Sequence, residues 1–172
     1  MTGVLFSPHN DDETLFAAFT VIRYQPEVVV CFKSARDYGD AGLRECETRA
    51  AVKVLGAPFG EQWDGGDLRM RMQLYDQYRP FPIPRVWAPS PDTSHPDHLT
   101  VARAARDVFG DRVTYYHTYR DGEKVRAARP VTFDPGWLEL KLRALACYRS
   151  QIQHPRAHQF FAWDLLEYQV GR

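Results

Sequence analysis

Two short runs in this sequence hold residue types whose spacing could do chemistry. The first is Ser7-Pro8-His9-Asn10-Asp11-Asp12-Glu13 and the second is His95-Pro96-Asp97-His98. A catalytic zinc centre takes three protein ligands from His, Asp or Glu and keeps one position open for water. The two runs supply three imidazoles and several carboxylates for such a centre. Adjacent Asp11 and Asp12 could divide the labour, one binding the metal while the other stays free as a base. Each run also has a plainer reading. Asn10 to Glu13 precede an apolar run and suit a helix N-cap with acidic first-turn residues. Ser94 or Asp97 could likewise cap a helix starting near Pro96, since proline is favoured in the first turn. Capping and metal chemistry are compatible, and the pairing of the two runs favours the metal.

The segments around these runs must bring them together. Residues 3–7 (GVLFS) read as a short strand entering the first run, and residues 14–22 (TLFAAFTVI) as the helix leaving it. Residues 27–32 (EVVVCF) are rich in β-branched side chains and predict a buried strand. Residues 41–55 carry apolar side chains at helical spacing, with Gly56 as a stop. Residues 57–84, rich in Gly, Pro and aromatics, predict loops with one short helix near 69–78. Residues 85–88 (RVWA) read as a strand running into the second run. A helix over 99–109 closed by Gly110, a strand over 113–119 and an amphipathic helix over 137–152 follow. Alternating strands and helices predict an α/β, Rossmann-like domain, with a mostly parallel sheet flanked by helices and residues 1–172 forming a single domain. In such sheets ligands sit beyond the carboxyl ends of strands, and both histidine runs follow predicted strands.

Bulk properties exclude several function classes. Lys plus Arg and Asp plus Glu are equal at 22 each, which disfavours nucleic acid as the main partner. The run Arg120, Lys124, Arg126 and Arg129 reads as a solvated loop. Cys31, Cys46 and Cys147 form no CxxC pair and are odd in number, so a disulfide framework is not expected and a reducing cytoplasm is the natural setting. Neither a signal peptide nor a membrane span is expected: Asp11 and Asp12 come too early, and the longest apolar runs are too short. No GxGxxG follows the first strand, which disfavours a nicotinamide-dependent oxidoreductase. No GxSxG occurs, which disfavours a serine hydrolase.

Pro8-His9-Asn10-Asp11-Asp12-Glu13 resembles the PHPDDE signature of the PIG-L/LmbE-like deacetylases, and His95-Pro96-Asp97-His98 resembles that family's HPDH signature. Between them Arg44, Glu47, Ala51 and Leu55-Gly56 fit its RxxExxxAxxxLG helix, and Asp64-Gly65 fits its central Asp-Gly loop. Tyr148 with Ser150-Gln151 resembles its late YxSQ segment. The resemblance implies a zinc-dependent N-acetylglucosamine-type deacetylase acting on a small N-acylated sugar or sugar conjugate. In that reading His9, Asp12 and His98 hold Zn2+ or another divalent first-row metal. Asp11 is the general base, and protonated His95 stabilises the oxyanion and protonates the leaving amine. Asp97 orients His95, and Arg44 and Asp64 contact substrate. Asn10 stands in place of the usual Pro, and no Tyr stands beside His95, where Thr93 and Ser94 are found. His117 reads as packed, His154 and His158 as surface residues, and Tyr148 as packed within its helix. Trp63, Trp87, Trp137 and Trp163 read as core rather than sugar platforms, with Trp63 the foremost exception. Alternatives are a metal hydrolase of another amide, an ester or a phosphoester, and a non-catalytic metal- or sugar-binding protein. Homo-oligomerisation is left open.

Overall fold

The computed structural model describes residues 3–33, 40–126, 130–162 and 165–170. Strand β1 (Val4–Ser7) is buried along its whole length, as a central strand covered on both faces should be. The chain continues through α1 (Asp12–Tyr24), β2 (Glu27–Val30), α2 (Ala41–Val54), β3 (Phe59–Gln62) and α3 (Leu68–Gln77). It then forms β4 (Val86–Pro89), α4 (Pro96–Phe109) and β5 (Val113–Tyr116). The five strands make one sheet in the order β3-β2-β1-β4-β5, with every pair parallel. The α/β, Rossmann-like expectation therefore holds.

Strand alternation divides the core into two layers. Leu5, Val28 and Trp87 pack toward α1, α2 and the later helix α5 (Pro135–Leu145). Val4, Phe6, Val29, Val86 and Ala88 pack toward α3 and α4. The winding direction reverses between β1 and β4, which opens a crevice at their carboxyl ends. Gly3 permits this neighbourhood, since a Cβ there would lie 2.3 Å from the Arg85 carbonyl oxygen. No helix among the described residues is long and apolar enough to cross a membrane.

Three segments differ from the sequence expectation. Phe59–Gln62 falls within the expected loop region yet pairs with β2, across a register shift between Val28 and Val30. It has no β-branched residue, so tertiary pairing rather than propensity makes it a strand. The expected helix over 137–152 is broken into α5 and α6 (Arg149–Ile152), because Tyr148 leaves helical geometry (φ −85°, ψ 56°). The segment read as a solvated basic loop forms a hairpin, β6 (Tyr119–Arg120) and β7 (Glu123–Lys124). Its turn, Asp121-Gly122, has positive φ at both residues, which suits a two-residue hairpin loop. Arg129 and Trp163 lie outside the described residues. A last short helix, α7 (His158–Phe161), precedes a terminal segment that runs antiparallel along β5 through bonds at Tyr115, Tyr116 and His117.

Helix α1 is kinked at Ala17 (φ −139°, ψ 15°). An unbroken helix would join the Phe19 amide to the Leu15 carbonyl. Here the Phe19 N–H donates to both Glu167 carboxylate oxygens at 3.0 Å, and Lys141 Nζ donates to the Leu15 oxygen at 3.0 Å. Lys141 and Glu167 pair at 2.7 Å, and both are 1% exposed. The charged pair thus satisfies the two backbone groups that the kink releases. Removing one partner strands the other charge in the interior. Lys141→Ala is expected to lower the unfolding free energy by about 3–5 kcal/mol, measured by urea denaturation.

Candidate metal centre and active site

The neighbouring carboxyl ends of β1 and β4 bring the two histidine runs together. From β1 the chain turns through Pro8 and reaches Asp11, the N-cap of α1, with Asp12 and Glu13 in the first helical turn. From β4 it passes through Ser90–Ser94 to His95, the N-cap of α4, with Pro96 in the first turn and His98 fully buried behind it. Asp12 Oδ2 lies 3.2 Å from His9 Nδ1 and 3.0 Å from His98 Nε2. His9, Asp12 and His98 each offer one ligand atom, all within 4.8 Å of one another. A second such group, His9, His95 and Asp97, overlaps it.

The donor set suits a divalent metal of the first transition row, with two imidazole nitrogens and one carboxylate oxygen beside an open cavity. His98 Nε2 is buried and faces Asp12 Oδ2 at 3.0 Å, while its Nδ1 sits 3.0 Å from the Thr118 hydroxyl. That partner on the far ring nitrogen is the usual means of orienting a ligand histidine. Asp97 departs from the expectation that it orients His95. Its Oδ2 bonds His9 Nε2 at 2.9 Å, whereas only its backbone N–H meets His95, at Nδ1 and 3.2 Å. Asp97 therefore orients His9, because the first turn of α4 aims its side chain across the crevice.

The electrostatics follow from burial and close pairing. Burial opposes charge on His9, but hydrogen bonds to Asp12 and Asp97 outweigh it and push the ring up to about 9. Burial also opposes charge on Asp12, yet His98 and His9 hold its carboxyl well below the usual range. Asp11 is raised, because burial with help from Asp12 and Glu13 outweighs the Arg44 guanidinium. His95 is pushed down to about 4 by burial and by His9 and His98.

A cavity of about 150 Å³ opens on this cluster. One wall is polar, formed by His9, Asp11, Asp12, Arg44, His95, Asp97 and Gln151; the other is apolar, formed by Leu15, Phe16, Tyr119, Ala157 and Phe160. Arg44 lines the cavity but is 4% exposed, and its guanidinium bonds Asp11 Oδ2 at 3.1 Å and the Asn10 carbonyl. Asp64 does not line the cavity; it is exposed and paired with Arg71. Trp63 is buried in the α3 and α4 layer, so it is no sugar platform. Asn10 turns away from the cavity and bonds Thr48 Oγ1 and Gln62 Oε1, tying the loop to α2 and β3. His117 is half-buried, and His154 and His158 are half-buried and exposed respectively, outside the cavity wall.

Sequence reasoning missed Tyr119, Thr118 and Phe160. Tyr119 stands 6.0 Å from the His95 ring and stacks on Phe160 at 5.6 Å. No sequence neighbour of His95 could signal this, since the ring comes from β6, which follows β5 in a separate two-stranded sheet. The Glu47 carboxylate accepts hydrogen bonds from Ser150 N at 2.8 Å and Ser150 Oγ at 2.6 Å, which joins the α2 motif to the late Tyr-Ser-Gln motif beside Gln151.

A family model described as PIG-L: GlcNAc-PI de-N-acetylase matches residues 4–109. No curated protein matches the sequence. Among solved structures, the chain is similar to a conserved protein from Thermus thermophilus at 20% identity, covering 99% of this chain and 94% of that one, with a TM-score of 0.71. It is similar to the zinc-inhibited form of teicoplanin deacetylase at 15% identity, covering 87% and 84%, with a TM-score of 0.71. It is also similar to N,N'-diacetylchitobiose deacetylase from Pyrococcus horikoshii at 18% identity, covering 86% and 69%, with a TM-score of 0.66. At these identities the structural likeness concerns the fold.

Two outcomes are expected of metal binding. Thr118→Val removes the hydroxyl beside His98 Nδ1 and should weaken zinc binding by about 10–100-fold in chelator competition. Coordination by His9 would require its neutral ring. With its pKa at about 9, zinc affinity of metal-stripped protein should fall by about tenfold per pH unit below that value. The sign for stability is opposite. The raised pKa stabilises stripped protein fully below the ordinary value of 6.5, and that contribution fades as pH rises through about 9. Calorimetric zinc titrations and thermal melts across pH 6–10 check both.

Proposed function

The chain belongs to the PIG-L family of GlcNAc-PI de-N-acetylases, and from that premise we propose that it is a zinc-dependent hydrolase removing the N-acetyl group of a small sugar or sugar conjugate. The observation that carries this reading is Asp11. It lies one residue before Asp12, lines the cavity, and takes no part in the His9, Asp12 and His98 group. A binding protein has no use for a spare buried carboxylate held at such a point.

His9, Asp12 and His98 would hold the metal, which when bound acts as a Lewis acid on water and on the amide carbonyl. Asp11, which lines the cavity beside Asp12, takes the proton of the attacking water and later returns it. Arg44 keeps the Asp11 carboxylate turned into the cavity. His95 acts differently from the cation expected from the resemblance. Its Nδ1 already accepts the Asp97 amide, so a neutral ring carries its proton on Nε2 and donates a hydrogen bond to the developing oxyanion. Asp11 then passes its proton to the leaving nitrogen as the C–N bond breaks, releasing acetate and a free amine. The apolar wall of Phe16, Tyr119 and Phe160 would pack on the substrate's less polar face.

The reading takes residues 1–172 as one catalytic domain. The family match ends at residue 109, but Tyr119, Gln151 and Phe160 complete the cavity from beyond it. We also read the protein as cytoplasmic, in keeping with Cys31, Cys46 and Cys147 as free thiols.

The test is free-amine release from a panel of N-acetylated sugars and sugar conjugates. Asp11→Asn should keep its zinc and lose about 10²–10⁴-fold in kcat. Undiminished release by Asp11→Asn would remove Asp11 from the mechanism. Zinc binding with no turnover on any amide would reassign the chain to a binding role or, if esters or phosphoesters are cleaved, to another hydrolase class.

A further inference from the structure

Glu13 belongs neither to the ligand group nor to the proton transfer, yet it is fully buried two residues from the base. Its carboxylate accepts hydrogen bonds from Thr14 Oγ1 at 2.7 Å, Ser7 Oγ at 3.2 Å, the Tyr148 hydroxyl and the backbone N–H of Asp11 at 3.2 Å. The last bond matters most, because Asp11 sits at φ 129°, ψ −28°, where a residue with a side chain is strained. Such strain costs about 1–3 kcal/mol and persists only where the surroundings over-determine it.

Both peptide groups flanking Asp11 are held. Its carbonyl accepts the Thr14 and Leu15 amides at 2.9 Å each, as an N-cap carbonyl does. Its own N–H is a helix-end donor in a buried place, and Glu13 reaches back to it as the acidic residue of a capping box would. The strained turn lets adjacent carboxylates point apart, Asp12 toward His9 and His98, and Asp11 toward Arg44 and the cavity. Tyr148 fixes the other carboxylate oxygen from the corner between α5 and α6.

We infer that Glu13, anchored by Tyr148, is the positioning residue that holds Asp11 in its strained conformation and keeps its carboxylate aimed into the cavity. The inference rests on Asp11 being the base, but its conformational half can be read without turnover. In Glu13→Gln the amide oxygen still accepts the Asp11 N–H, while its NH2 faces the Thr14 and Tyr148 hydroxyls, which can turn to accept. Glu13→Met fills similar space and accepts nothing.

The experiment measures kcat, KM, bound zinc and hydrogen exchange of the Asp11 amide by NMR in wild type and both variants. Glu13→Met should lose about 10²-fold in kcat, as misplacement by an ångström does, with KM and zinc content little changed and Asp11 exchange accelerated. Glu13→Gln should recover most of kcat and keep the amide protected. Slow Asp11 exchange in Glu13→Met, or wild-type kcat there, overturns the inference, as does a Glu13→Gln variant as impaired as Glu13→Met. If wild type deacetylates nothing in the panel, the functional reading fails and amide exchange alone decides the positioning role. Where Glu13→Met does not fold, Tyr148→Phe carries the test. Faster Asp11 exchange and lower kcat support the inference, and unchanged values of both overturn it.

Discussion

Asp12 Oδ2 meets imidazole nitrogens from both histidine runs, at 3.2 Å from His9 Nδ1 and 3.0 Å from His98 Nε2. A carboxylate that is 3% exposed is stable only when its charge is met by close partners. That requirement ties the loop after β1 to the first turn of α4, and it can be met only if β1 and β4 are neighbours. The parallel order β3-β2-β1-β4-β5 supplies the neighbourhood. The reversal of winding at β1 and β4 leaves a crevice rather than a helix above their ends. Polar groups that would be costly elsewhere in the core thus converge in a place where substrate can reach them.

The N-terminal end of α1 carries much of this arrangement, and the rest of the helix is adapted to it. Asp11 is strained at the start, and Ala17 breaks the ladder one turn and a half later. Groups distant in the chain compensate for both. Glu13 and Tyr148 serve the Asp11 end, while Lys141 and Glu167 serve the groups released at the kink. The C-terminal third is thereby fastened to the first turn of α1 as well as to β5. Buried charge in this protein is arranged to hold backbone in unusual conformations, and its contribution to stability follows from that service.

The cavity's two walls have different origins. The polar wall comes from residues close to the ends of β1 and β4 and from Arg44 on α2. The apolar wall joins Leu15 and Phe16 on α1 with Tyr119 on the hairpin and Phe160 on α7. Stacking of Tyr119 against Phe160 and its edge contact with the His98 ring continue the apolar wall up to the His9, Asp12 and His98 cluster. Chemistry and substrate fit are therefore separable, because loop and hairpin residues can change without moving the strands that place the histidines.

The residues that converge beside the cavity and the alternation of strands and helices were legible in the sequence, since residue type and local spacing are local properties. His9, Asp11, Asp12, His95 and His98 could be named, and the parallel α/β sheet that unites them could be expected. Strand β3, with its FGEQ sequence, could not, because pairing with β2 rather than propensity makes it a strand. The break at Tyr148 was hidden by an unbroken amphipathic pattern, since that pattern does not register that Tyr148 bonds Glu13, far away in sequence. Likewise only the tertiary structure decided that Asp97 serves His9, that Arg44 holds Asp11, that Asp64 stays outside the cavity and that Tyr119 faces His95. Sequence pattern determined which groups exist and which elements carry them. Which group meets which depends on how loops from non-adjacent elements pack at one sheet edge, and no local periodicity encodes that distance.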